Sequence, residues 1–374
     1  MRTLCSSSTL ACAISPVLAL GGRLAIAQQI SPDNTSDSVV QLEQECPFSV
    51  DKFIVELQQE DSGRRWWAAE CLGKMKDRQA VEPLVQAIFN EHIPRLGLVE
   101  IAALKELDDP RTEDLLLDGI NDKRTRPQAI DALGRLQSKR AVEPIIATLK
   151  NPDRFSTSVA MQALGEIKDP RALQPLCTLL KNRDEVVRRF AATALGQLDD
   201  PGAIGSLTTA LKDTDDGVRA NAAKSLGELK NAEAVNALIV VLKDSEESVR
   251  VAAVDALGSI GDASAVAQLL ATLKSSKGRV RWQTASALAM FSTPEIDDAL
   301  TNALRHGELD IVAAAYRYFL LKHDLESVAA LVAAMNEHGW YEMANALRDS
   351  GDSQLVDAAK QWELRHKMEL QAQP

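Results

Sequence analysis

Apolar side chains along most of this chain recur at helical spacing. From Val187 they fall at Val187, Ala191, Ala194, Leu195 and Leu198, the stripe of an amphipathic helix seated on a core. The same stripe returns down the chain. Leu133, Leu164, Leu195, Leu226, Leu257 and Leu288 lie 31 residues apart, with Leu104 and Leu72 upstream at spacings of 29 and 32. Two further columns run ahead of this one: Leu149, Leu180, Leu211, Leu242 and Leu273, and Leu176, Leu207, Leu238 and Leu269. Each unit therefore predicts a first and a second helix, and between Asp169 and Phe291 four units follow with little variation. One such hairpin cannot bury both stripes alone, so neighbours must stack to make a continuous core. The expected fold is all-α, an α-solenoid wound as a right-handed superhelix of stacked helical hairpins.

The residues between the stripes support this. Asp169-Pro170 and Asp200-Pro201 each offer a capping carboxylate followed by a proline at the first helical position, where a missing N–H costs nothing. Gly134, Gly165, Gly196, Gly227 and Gly258 follow the anchor leucine, which predicts close approach of a neighbouring helix; no strand precedes them, so they do not read as a phosphate loop. Pro83, Pro144 and Pro175 recur inside first helices and predict bends there, absent from Pro201 onward.

The register reaches beyond the regular units. Phe53 and Leu57 stand to Leu72 as Leu176 and Leu180 stand to Leu195, so the array begins at about residue 50. Residues 50–350 read as about ten hairpins, the last two at 295–321 and 325–347. Residues 351–374 read as a closing helix and tail. A chain of 374 residues is long for one globular core, but a solenoid grows by addition. Aromatic content of 4% against 45% hydrophobic suits helices built from alanine and leucine rather than strands.

The first 27 residues are different. Arg2, an apolar run from Leu10 to Leu20, and the small-x-small triplet Ala25-Ile26-Ala27 form a secretory signal with cleavage expected after Ala27. The run is too short to span a bilayer. Residues 28–49 read as a polar tether, and export to the periplasm or cell exterior is the expected localisation. Cleavage would remove Arg2 and Arg23 and no acid, taking the formal charge from −11 to 40 minus 53, or −13. That balance argues against nucleic acid as a partner. Cys46 and Cys71 are a candidate disulfide in an oxidising compartment; the competing reading makes Cys71 a small core residue in the column of Ala132, Ala163, Ala194 and Ala256.

Taken together, Asp169-Pro170, Leu179-Leu180, Asp184-Glu185, Val187-Arg188 and Ala194-Leu195-Gly196 closely resemble the HEAT-like repeat of phycobilisome lyase subunits. The resemblance covers nearly all of 50–350 and implies the solenoid directly. For function it implies several classes, because bilin lyases, a di-iron hydroxylase and many adaptors share the repeat. The hydroxylase branch needs repeated His-Glu dipeptides, and the sequence has none; no metal or other cofactor is expected.

Arg188, Arg219, Arg250 and Arg281 form a column at spacing 31, which the family implies is paired with turn aspartates of neighbouring units. Ser275 interrupts the aspartate column, and the sequence assigns the loss to Arg281, with Trp282 beside it and Arg65-Trp66 in matching register. Arg65, Trp66, Arg281 and Trp282 are therefore the candidate partner contacts, against a reading in which they fill the ends of the array. Tyr316, Tyr318, Phe319, Trp340, Tyr341 and Trp362 fit either a cap or a patch. No nucleophile–base pair, ligand cluster or glycine-rich loop is present. The expected function is a non-catalytic binding scaffold holding a protein in its concave groove, with a lyase-like accessory factor for phycobilin-bearing antenna proteins as the alternative.

Overall fold

A computed structural model describes residues 46–90, 94–150, 154–291 and 293–371; residues 1–27, read as a secretory signal, and most of 28–49, read as a tether, lie outside these residues. Twenty-two α-helices and no strand occur among the described residues, and the fold is an all-α solenoid. They pair as eleven units. Unit 1 is Val50–Glu56 with Ser62–Met75, unit 2 Val81–Asn90 with Pro94–Leu107, unit 3 Arg111–Gly119 with Arg126–Arg135, and unit 4 Val142–Thr148 with Arg154–Ile167. Units 5 to 8 are Leu173–Leu179 with Glu185–Leu198, Ile204–Ala210 with Asp216–Glu228, Val235–Val241 with Glu247–Ile260, and Val266–Ser275 with Gly278–Leu288. Units 9 to 11 are Pro294–Arg305 with Leu309–Ala314, Tyr316–Lys322 with Leu325–His338, and Tyr341–Arg348 with Ser353–Gln371.

The core follows the leucine columns. Leu72, Leu104, Leu133, Leu164, Leu195, Leu226, Leu257 and Leu288 are all buried. Second helices stack on one another in sequence order through the regular units, more intimately than first helices do. The glycines make this possible. A Cβ on Gly134 would lie 2.8 Å from Ala163 Cα, and one on Gly227 would lie 2.7 Å from Ala256 Cα. Those helices meet backbone to side chain, closer than any larger residue allows.

Pairing departs from expectation at the carboxyl end. Residues 295–321 do not form one hairpin: the chain turns again at Ala315, and Tyr316–Lys322 becomes the first helix of unit 10. The final helix is consequently not a lone cap but the second helix of unit 11, packed on both Tyr341–Arg348 and Leu325–His338. At the amino end of the described residues Cys46 is buried, and Phe48 rests against Phe53 and Trp67 at 5.6 and 5.5 Å. Cys46 and Cys71 are joined as a disulfide, tying this segment to the second helix of unit 1.

The proline bends also resolve differently. Pro83, Pro144 and Pro175 fall at the third residue of their helices, where an N–H would have no intrahelical acceptor, so they break nothing. The bend comes just before, at a three-residue 3₁₀ turn such as Pro170–Ala172, capped by Asp169 accepting from the Arg171 backbone N–H. Ala232–Ala234 makes the same turn without proline, so the bend belongs to every regular unit.

Candidate binding surface

The second helix presents its anchor leucine inward and leaves the opposite face open. Residues two after the anchor, Arg135, Glu166, Gln197 and Glu228, share that face with Leu98, Ala102 and Lys105 of unit 2. Together with the glycine column they line a groove of about 680 Å³ that crosses the second helices of units 2 to 6. A second stretch of about 490 Å³ continues over units 6 to 8, lined by Ala220, Lys224, Glu228, Val251, Asp255 and Arg279 among others. Glu228 borders both, so the two form one trough. Its floor is small and apolar while its walls carry charges of both signs. Asp255 stands out there, since burial pushes its carboxyl up against the opposing hydrogen bond from Gln283.

Along the edge formed by the turns within units runs a separate device, the arginine column. Arg188 holds both oxygens of Asp213 through Nε and Nη2 at 2.8 and 2.7 Å, and Arg219 holds Asp244 at 2.8 Å twice. Each arginine also donates from Nη1 to a carbonyl six residues upstream, that of Asn182 or Asp213. The Arg219 bonds depress the Asp244 carboxyl; for Asp213 burial is the largest influence and raises it, but the Arg188 bonds, the Asp215 backbone N–H and the Arg188 charge together bring the carboxyl down. Arg189 adds a parallel pair with Asp215, whose carboxyl falls to about 2 chiefly because of that bond. On the opposite edge Asp109 is likewise lowered to about 2, first by Arg111, which also donates to the Arg78 carbonyl.

The pairing therefore runs forward, from the arginine of one unit to the turn of the next. This moves the consequence of Ser275 by one unit. Arg281 does not lose its acid: it pairs with Glu308 and with Asp310 at 3.2 Å. The ladder arginine with no ion pair among the described residues is Arg250, which donates to the Asp244 and Ser245 carbonyls.

The four candidate contacts are not brought together. Arg65 donates to the carbonyls of Gln59 and Glu60 in the first turn edge. Trp66 is 44% exposed and sits six residues before its anchor, the position that Leu98, Ala220 and Val251 occupy in the trough. Trp282 shares that register but is half-buried, its ring 5.1 Å from Trp340, which in turn meets Tyr316 at 5.5 Å. The late aromatics thus fill the last units, Phe319 and Trp362 being buried, and leave Tyr341 exposed. The trough residues two after the anchor were not singled out from the sequence; a polar column at spacing 31 was the signal that marks them.

Among the described residues no group of three or more His, Cys, Asp or Glu could hold a metal ion, and no helix is long and apolar enough to cross a membrane. Models of HEAT repeats match residues 114–189, 176–247 and 235–320, more than half of the chain. The chain belongs to the HEAT-repeat family. The PBS lyase HEAT-like repeat matches residues 64–90 of the same array. No curated protein matches the sequence.

Among solved structures the HEAT array is similar to an engineered protein at 21% identity, covering 84% of this chain and 98% of that one, with a TM-score of 0.39. Human deoxyhypusine hydroxylase in complex with glycerol matches at 22% identity, covering 68% and 98%, with a TM-score of 0.30. The complex of CpcE and CpcF of phycocyanin lyase from Nostoc matches at 22% identity, covering 68% and 93%, with a TM-score of 0.35. At these values the likenesses carry no argument about activity.

Proposed function

We propose that the HEAT array is an exported, non-catalytic scaffold that holds a protein partner along the second-helix trough. The observation that carries this reading is the trough itself: a continuous surface over units 2 to 8 with a small apolar floor and charged walls. A long shallow surface of this kind suits an extended or helical partner segment better than a small molecule. Export is supported by the pattern in residues 1–27 and by the Cys46–Cys71 disulfide, which persists in oxidising compartments. The intact mass of protein recovered from the envelope fraction tests export: a chain beginning at Gln28 is expected, and full-length protein confined to the cytosol overturns it.

A photo-crosslinking residue at Glu166 in the trough should capture the partner in the native envelope, whereas one at Val240, 70% exposed on a first helix, should not. Equal capture at both positions would remove the trough from the proposal. The second reading, an accessory factor for bilin attachment, is favoured by the lyase-type repeat at 64–90. Incubation of the purified protein with a phycobilin and an antenna apoprotein separates the two, since only a lyase-like factor accelerates covalent attachment.

A further inference from the structure

We propose that the turn edge at Arg250 docks an acidic side chain of a protein partner. The ladder arginines of units 5 and 6 are used at both ends: Nη1 is fixed by backbone carbonyls, and Nε with Nη2 grips a carboxylate of the next unit. Arg250 repeats only the first half. Its Nη1 donates to the Asp244 and Ser245 carbonyls at 2.6 and 2.7 Å, which holds the guanidinium in the same frame. At the register position of Asp213 and Asp244, unit 8 has Ser275, and among the described residues Arg250 bonds through Nη1 alone.

The turn around Ser275 is rebuilt. Asp213 and Asp244 each accept a backbone N–H two residues on, which ends the first helix and shapes the turn. Ser275 instead donates back to the Ala271 carbonyl at 2.9 Å, and the first helix of unit 8 runs ten residues where those of units 5 to 7 run seven. In the same turn the Ser276 hydroxyl is buried with no partner. Charge is inverted as well: Asp-Thr-Asp-Asp at 213–216 and Asp-Ser-Glu-Glu at 244–247 become Ser-Ser-Lys-Gly at 275–278, with Lys277 exposed.

A pre-set guanidinium fork, with an exposed lysine in the turn of the next unit, in a chain of net charge −11, is complementary to an anion. The anion is a carboxylate because the same fork is closed by one in the two preceding units. The proposal rests on the scaffold reading for the source of that carboxylate and not for the site.

The test uses the full chain at low salt with a fluorescein-labelled peptide of alternating Glu and Gly, its Gln counterpart, and inorganic phosphate as competitor. Both Arg250→Gln and Ser275→Asp should weaken binding of the Glu peptide by about tenfold or more, as should the change to Gln. Ser275→Asp retains the arginine and offers it an internal acid, so it reads the site even where Arg250→Gln disturbs folding. Undiminished binding in a folded Ser275→Asp variant overturns the proposal, and so does equal binding of the Gln peptide or a Glu-peptide signal that excess phosphate leaves unchanged. Loss of the trough crosslinks with the peptide result intact would remove the proposed function and leave this site standing.

Discussion

The junction between units 6 and 7 and the junction between units 2 and 3 use the same repeat to opposite ends. At the first, Gly227 lets the second helices touch at Ala256, and Arg219 reaches forward to Asp244. At the second, Lys105 stands where the glycine belongs and Gly97 where the arginine belongs, and the anchors Leu104 and Leu133 are two residues closer in sequence. Their second helices do not make the intimate stack seen elsewhere; Val81–Asn90 instead packs on both helices of unit 3, with Phe89 against Gly119. The trough begins there, with Leu98, Lys105 and Arg135 across the opening. Two substitutions and a spacing shorter by two residues thus separate a closed joint from an open one, while the leucine core continues through both.

The comparison can be broken most forcefully at the core. Leu226→Ala should cost about 2–5 kcal/mol in urea unfolding, since Leu226 is fully buried; a smaller loss would mean the leucine column is not the common support. Next comes the ladder. Arg219→Ala should lose about 1.5–3 kcal/mol because it strips Asp244 of both its guanidinium bonds in a largely buried pair. The ladder also predicts acid sensitivity. Asp215 has a folded value of about 2 and Asp213 and Asp244 are also depressed, so the unfolded chain takes up protons first. Their contribution is complete above the ordinary carboxylate range near about pH 4 and is lost as pH falls toward about 2. A urea midpoint that stays level from pH 5 to 2.5 would deny the ladder any role.

Smaller effects sharpen the contrast between joints. Gly227→Ala should lose about 1 kcal/mol after the gain in helix propensity is counted, whereas Gly97→Ala, with open space around its Cβ, should gain about 0.5–1 kcal/mol. Matching signs would show that the two joints are alike. Smallest of all, Trp66→Ala should shift stability by no more than about 0.5 kcal/mol, whereas Trp282→Ala, which removes a ring from the Trp340 and Tyr316 cluster, should cost about 1–3 kcal/mol.

The array and its register were legible in the sequence because stacking demands the same side chain at the same place in every copy. Glycine spacing, anchor leucines and the start at Phe53 all follow from that demand. The carboxyl end was misread because Leu309–Ala314 is only six residues long, and a period of 31 no longer applies there. Arg281 was assigned the missing partner because the chain shows Ser275 six residues before it; only three-dimensional stacking shows that an arginine spans to the following copy. The trough was hidden for a different reason: its residues vary from unit to unit, and variation at a fixed position carries no hydrophobic period.

Forward pairing also bears on how such a chain can change length. A duplicated copy inserted among units 5 to 7 would receive the arginine of its predecessor and offer its own to its successor, leaving no charge stranded. An insertion of half a copy would strand two. The array can therefore lengthen or shorten by whole modules without renegotiating its existing joints.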